Sequence, residues 1–227
     1  MWPRRRSNPL DQESVARLAM VSSQLERRGI DDRRLLQAMR DVPRHAFVPA
    51  AGRAEAYGDH PLPIAEEQTI SQPYMVGLMI QCLRLRGAER VLDVGTGSGY
   101  QAAVLGRMAA RVYTVECFPS LALSARLVIR RLGYRNVHVA RANGCQGYPE
   151  QAPYRGIIVA AAAPFVPASL RAQLADGGRL VIPIGGMKEQ RLTIVTRRGD
   201  AFIEEKTVTC RFVPLLGAQA ESSTGVS

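Results

Sequence analysis

The clearest chemical signal in the chain is the run Val91-Leu92-Asp93-Val94-Gly95-Thr96-Gly97-Ser98-Gly99-Tyr100. A short apolar strand ends in an acid, a glycine-rich turn follows, and a helix begins. Glycines 95, 97 and 99 let the backbone approach a ligand with no side chain between them. The spacing is Gly-x-Gly-x-Gly, not the Gly-x-Gly-x-x-Gly that seats a pyrophosphate on a helix N-terminus. No Gly-Lys-Ser/Thr follows, so it is not a P-loop either. An acid at Asp93 repels phosphate and favours a cation. S-adenosylmethionine carries a sulfonium and an ammonium group and no phosphate, and it is the cofactor expected here, held by Asp93, Gly95, Thr96, Gly97, Ser98 and Gly99. Glu116 ends the next strand, where an acid can accept from both ribose hydroxyls; the alternative is a strand-end surface glutamate. Asn143 follows the third strand, and its side-chain carbonyl can accept from the adenine amino group; the alternative is an Asn-Gly turn.

Other chemistries find little support. Cys82, Cys117, Cys145 and Cys210 lie far apart, as do His45, His60 and His138, with neither Cys-x-x-Cys nor zinc-ligand spacing. Free thiols in a reducing compartment and no metal are expected. The net charge is +10, and the only lysines are Lys188 and Lys206. The arginine clusters, such as 4–6, 27–28, 33–34, 130–131 and 197–198, are dispersed and not interleaved with aromatics. They read as a solvated basic surface, so nucleic-acid binding is not expected. No apolar run reaches the length of a membrane span, and no apolar segment follows the basic stretch from Met1 to Pro9. Neither a membrane anchor nor a secretory signal is expected, and the cytoplasm is the expected compartment.

The elements that must position the loop follow from periodicity. The recurrence of Val15, Leu18, Ala19, Ser22 and Leu25 at helical spacing predicts an amphipathic helix over 11–28 stopped by Gly29, and Leu35, Leu36 and Met39 predict one over 31–41. Residues 43–72 form a proline-punctuated stretch of little period, unusual in length unless functional. Pro73 opens a helix to about residue 85. Strands are predicted at 90–94, 111–115, 136–140, 156–161, 179–184, 191–196 and 206–213. Helices at 99–109, 119–132 and 167–175 separate the first five, with Gly133 and Gly177-Gly178 as C-terminal caps. Such alternation makes a mostly parallel sheet covered on both faces, and the last two strands join through a turn at 199–201. The expected fold is α/β: a class I methyltransferase, Rossmann-like, with a mostly parallel seven-stranded sheet, a C-terminal antiparallel hairpin and an N-terminal helical extension. Residues 1–10 are expected as a disordered basic N-terminus and 218–227 as a disordered tail. Residues 11–217 are expected as one domain, with 11–89 on the substrate side and 90–217 as the cofactor-binding sheet.

With these motifs in place, the chain resembles the protein-L-isoaspartate (D-aspartate) O-methyltransferase family from about Met20 to Gly217. The carrying segments include Val42-Pro43-Arg44, Phe47-Val48-Pro49, Ala56-Tyr57, Pro61-Leu62-Pro63-Ile64, Gln68-Thr69-Ile70-Ser71-Gln72-Pro73-Tyr74, Gly95 through Leu105, and Arg211-Phe212-Val213-Pro214-Leu215. The resemblance implies methyl transfer from S-adenosylmethionine to the free α-carboxylate of an isoaspartyl residue in a damaged protein or peptide. The ester then collapses to a succinimide, which reopens in part as aspartate. It also implies that Ser71 is the active-site hydroxyl, and that Thr69, Ile70, Gln72, Val213, Pro214 and Leu215 line the peptide site. A monomer is expected.

The chain departs from the family pattern at Ala65-Glu66-Glu67, where Gly-x-Gly is usual, and at Ala142-Asn143, Arg155 and Ala160. Carboxylates at 66 and 67 are expected to disfavour an anionic acceptor. Two other functions compete: a divergent relative that methylates an aspartate in one dedicated peptide or protein, and a non-catalytic protein that keeps the fold.

Overall fold

The computed structural model describes residues 11–217; the expected disordered termini lie outside the described residues. The chain forms helices α1 (Gln12–Met20), α2 (Arg33–Asp41), α3 (Pro73–Leu83), α4 (Tyr100–Met108), α5 (Pro119–Arg131) and α6 (Ala168–Ala172). Its strands are β1 (Leu62–Pro63), β2 (Thr69–Ile70), β3 (Arg90–Val94), β4 (Arg111–Glu116), β5 (Val137–Arg141), β6 (Tyr154–Val159), β7 (Leu174–Gly185), β8 (Gln190–Arg198) and β9 (Ala201–Cys210).

The seven long strands form one sheet in the order β5-β4-β3-β6-β7-β8-β9. The first five are parallel, β8 runs against β7, and β9 runs against β8. This is the expected class I methyltransferase architecture. Alternation along the strands divides the core. Val91, Val112, Ile158 and Val181 join the N-terminal helices, α3 and α4 on one face. Leu92, Val94, Tyr113, Val115, Ile157, Val159, Leu180 and Ile182 build the core of the other.

Three boundaries differ from the sequence reading. Residues 21–25 form a π-turn and 26–28 a 3₁₀ turn before Gly29 ends the segment with φ of 86°. The Ser22 and Ser23 hydroxyls both donate to Ala19 O, which competes with the helical ladder. The buried face is Met20, Val21 and Leu25, while Val15 and Leu18 are exposed. Polar Arg17 and Gln24 turn inward because they reach Arg40 O at 2.6 Å and Tyr57 O at 2.8 Å. Second, α6 stops at Ala172, and Gly177-Gly178 lie inside β7 instead of capping a helix. There, two residues of β6 span five of β7, and Gly177 takes φ of 65°. This is a bulge, for which positive-φ glycine is suited. Third, β9 begins at Ala201, directly after the Gly199-Asp200 turn, although Glu204, Glu205 and Lys206 give it no apolar alternation. As the edge strand it can carry them.

The stretch 43–72 is ordered by a few buried contacts. Arg44 is fully buried; its Nε donates to Ala56 O at 2.7 Å and its guanidinium lies 5.0 Å from the Tyr100 ring centroid. Burial pushes its pKa down to about 10. With Gln24 on the next carbonyl, Tyr57 O, Arg44 anchors the wall that runs on into the hairpin β1–β2, paired Leu62 to Ile70 and Pro63 to Thr69.

Candidate active site

The glycine turn sits at the carboxyl end of β3, where open α/β sheets bind their ligands. Gly95, Gly97 and Gly99 have φ of 91°, 51° and 89°. Their amides are turned toward the protein. Gly95 N–H and Thr96 N–H both donate to Val115 O, at 3.0 and 3.1 Å, and Gly99 N–H donates to Thr96 O at 2.8 Å. Gly97 N–H donates to Glu116 Oε2 at 2.9 Å. A phosphate cradle needs amides aimed at the ligand; here Glu116, which takes the Gly97 amide, brings a carboxylate to the cavity wall instead, and this fits a phosphate-free cofactor.

Asp93 plays a different part from the one expected. It is fully buried and does not line the cavity. Its Oδ1 accepts from Gln101 Nε2 and its Oδ2 from Thr114 Oγ1, both at 2.7 Å. Thr114 stands directly across from Asp93 in the β3–β4 register. Since the Thr114 proton goes to Asp93, Thr96 must donate in the 2.6 Å bond between the two threonine hydroxyls. Asp93 thus holds the turn from behind, through Thr114 to Thr96 and through Gln101 on α4. Desolvation raises its pKa to about 6. Gly99 is likewise absent from the lining and faces α5, where an added Cβ would meet Ala125 and Ile129 at 3.2 Å.

Glu116 is buried at the cavity wall. Its Oε1 accepts from Cys117 N–H at 2.9 Å and Phe118 N–H at 3.1 Å. A carboxylate has about four lone-pair sites, so capacity remains for a ligand. Asn143 lies in an adjoining cavity of about 520 Å³ that shares Cys117 and Leu216 with the main one. Its side-chain carbonyl caps a short turn by accepting from Cys145 N–H at 3.0 Å.

The main cavity, about 780 Å³, takes Gly95, Thr96, Gly97, Ser98 and Glu116 on one side. On the other it takes Thr69, Ile70, Ser71, Gln72, Val213, Pro214 and Leu215. The C-terminal segment is held there by Ala162: its N–H donates to Val213 O at 2.8 Å, and its carbonyl accepts from Leu215 N–H at 2.7 Å. Ser71 precedes α3, whose N-cap residue is Gln72, and no side chain caps that helix. The Ser71 hydroxyl is therefore not a helix cap. Pro73 has no N–H, and the first intrahelical bond runs from Val76 N–H to Gln72 O at 3.1 Å. The amides of Tyr74 and Met75 precede it, and both residues line the cavity.

Several cavity residues were not picked out in the sequence: Arg28, Gln101, Phe118, Met187 and Gln190. Only tertiary structure brings Arg28 to Ser71. Gln190 clamps Phe212 in both directions, accepting from its N–H at 2.7 Å and donating to its carbonyl at 3.1 Å. Glu66 and Glu67, expected to oppose an anionic acceptor, are exposed and do not line the cavity. Glu66 accepts instead from the Ser120 hydroxyl at the start of α5. Arg155 donates to Asp176 O at 2.7 Å and lies away from the cavity, whereas Ala160 lines it.

The sequence profile of the protein-L-isoaspartate(D-aspartate) O-methyltransferase family matches residues 16–220. The chain belongs to this family. A relative from Roseiflexus castenholzii, named protein-L-isoaspartate O-methyltransferase, is 54% identical over 204 residues, covering 90% of this chain and 93% of the relative. One from Marinobacter nauticus, named protein-L-isoaspartate O-methyltransferase 2, is 55% identical over 210 residues, covering 91% and 95%. Among solved structures, the family's putative member from Plasmodium falciparum, in complex with S-adenosyl-L-homocysteine, superimposes with a TM-score of 0.76 at 27% identity. That match covers 88% of this chain and 97% of the other. The family's fold is thus present over nearly the whole described chain, with the glycine turn and Ser71 facing one cavity. Among the described residues no helix is long and apolar enough to cross a membrane, and no three His, Cys, Asp or Glu side chains gather as a metal site.

Proposed function

We propose that this protein is an S-adenosylmethionine-dependent carboxyl methyltransferase that acts on isoaspartyl residues of damaged proteins and peptides. One observation carries the reading: Ser71, which caps no helix, and the first residues of α3 line the same cavity as the glycine turn and Glu116. One side suits an anion and the other a cation, as transfer from a sulfonium to a carboxylate requires.

S-adenosylmethionine, when bound, supplies an electrophilic methyl group. Gly95, Thr96, Gly97 and Ser98 shape its seat. Glu116 accepts from the ribose, and Asn143 in the adjoining cavity contributes to the adenine end. Asp93 and Gly99 support the turn from behind. On the other side Ser71 O–H and the amides of Tyr74 and Met75 hold the acceptor, aided by the positive end of the α3 dipole. A carboxylic acid of ordinary pKa, about 4, is already ionised at neutral pH, so the site needs no general base. Its task is alignment, which can account for roughly 7–11 kcal/mol of a barrier. Thr69, Ile70, Gln72 and Val213 through Leu215 form the walls that the peptide meets.

The departures at 66, 67 and 155 lie off the cavity, which removes most of the support for a dedicated, unusual substrate. Cys82, Cys117 and Cys210 are in no disulfide, which supports work in a reducing compartment such as the cytoplasm. The deciding experiment is methyl transfer to an isoaspartyl peptide beside its normal aspartyl twin. Labelling of the first alone is expected, and equal labelling or none overturns the reading.

A further inference from the structure

The cavity contains a cation held in place by two neighbours, Tyr74 and Asp59. Arg28 ends the 3₁₀ turn before Gly29 and lines the cavity beside Ser71, Gln72 and Tyr74. Its guanidinium carbon lies 3.5 Å from the Tyr74 ring centroid. Its Nη1 donates to Asp59 Oδ2 at 2.8 Å. Asp59 is in turn tied to α3, since Gln72 Nε2 donates to Asp59 O at 3.0 Å. The cation is therefore stacked on the residue that supplies one of the open α3 amides, and its counter-ion is fastened to the residue after Ser71. Arg28 is exposed, with 41% of its side chain accessible, so its attraction is screened by salt.

We propose that Arg28 is a specificity-determining residue that makes the site select the charge of the acceptor carboxylate. The inference rests on the function proposed above. Methyl transfer converts an anion into a neutral ester: a carboxylate oxygen forms the new O–CH₃ bond, the S–CH₃ bond breaks, and its electron pair stays on sulfur. A fixed positive charge beside Ser71 attracts the substrate and has no such hold on the product. The same residue thus draws the isoaspartyl peptide in and lets the ester leave. Hydrogen bonds from Ser71 and the α3 amides cannot discriminate as sharply, because an ester carbonyl accepts them too. Asp59 offsets part of the charge, so the attraction is graded.

The test uses the full-length protein and two forms of one peptide. One has the isoaspartyl α-carboxylate; the other has an α-carboxamide in its place and serves as a neutral inhibitor. Arg28→Gln should raise the KM for the carboxylate peptide about five- to twenty-fold at low salt, and less at high salt, where exposed charges are screened. The carboxamide Ki and the S-adenosylhomocysteine Kd should stay within about two-fold. Arg28→Lys, which keeps the charge without the planar stack, should fall between. Asp59→Asn should lower the KM. A purely structural Arg28 would shift the affinity for both peptides alike, and that result overturns the proposal. So does an unchanged KM at low salt in a wild-type-active background. A wild type that methylates no isoaspartyl peptide would instead sink the function proposed above.

Discussion

Glu116 Oε2 accepts the amide of Gly97 at 2.9 Å, so the acid that ends β4 fixes the glycine turn that ends β3. The same carboxylate gathers the amides of Cys117 and Phe118. One side chain thereby shapes the cofactor's seat and, as proposed, binds the ribose.

Glu116→Ala is expected to weaken S-adenosylhomocysteine binding about ten-fold or more, since charged hydrogen bonds contribute on the order of 1.5–3 kcal/mol. It should also lower the ligand-free Tm, because three amides lose their acceptor. Calorimetry and thermal melting separate the two effects. A lowered Tm with an unchanged Kd would assign Glu116 to the turn alone.

Ser71→Ala should reduce kcat on an isoaspartyl peptide by roughly ten- to a thousand-fold, the range for loss of one positioned donor. Because Ser71 caps no helix, the Tm should hold within about a degree. Cofactor affinity should hold as well. Full activity in this variant would remove Ser71 from the acceptor site.

Glu67 sits in the left-handed region at φ of 54°, next to Glu66 at 58°. That conformation costs a non-glycine residue roughly 1–2 kcal/mol, of which glycine's greater unfolded-state entropy returns part. Glu67→Gly should therefore stabilise the fold by up to about 1 kcal/mol, or about 2–4 °C in Tm. The KM for an isoaspartyl peptide should not move, even at low salt, because Glu67 is outside the cavity. A fall in KM would place the side chain at the peptide site.

Asp93 predicts an unusual pH dependence. Its folded pKa of about 6 lies above the ordinary 3.8, so the folded state holds more protons between those values. Stability from this group is therefore greatest below the unfolded pKa and falls as pH rises through about 6. Two pKa units amount to about 3 kcal/mol. Asp93→Asn cannot ionise, so relative to the wild type it should gain about 1–3 kcal/mol between about pH 4 and pH 7. Urea unfolding at each pH measures the change, and the pH-independent cost of an altered hydrogen bond cancels from it. A constant difference across that window would mean that burial does not shift this carboxyl.

Local sequence sufficed for whatever depends on neighbouring residues. The strand–turn–helix around Gly95, Gly97 and Gly99 was legible because only glycine accepts those backbone angles freely. The rejection of a phosphate ligand was legible from the same spacing and from acids in the place of basic residues. Strand and helix alternation from Arg90 gave away the parallel sheet, and the segment through Ser71-Gln72-Pro73 marked the start of α3. Tertiary structure decided which side chains reach the cavity. Asp93 and Glu116 look alike in sequence, each an acid at a strand end. Yet alternation turns Asp93 into the core beneath α4, and Glu116, at the last position of β4, meets the cavity. Glu66 and Glu67 stand close to Ser71 in the chain but point away, because the β1–β2 hairpin turns them outward. Arg28 lies far from Ser71 in sequence yet lines the same cavity and stacks on Tyr74, since the packing of the N-terminal helical segment on α3 is a long-range choice that no local pattern encodes.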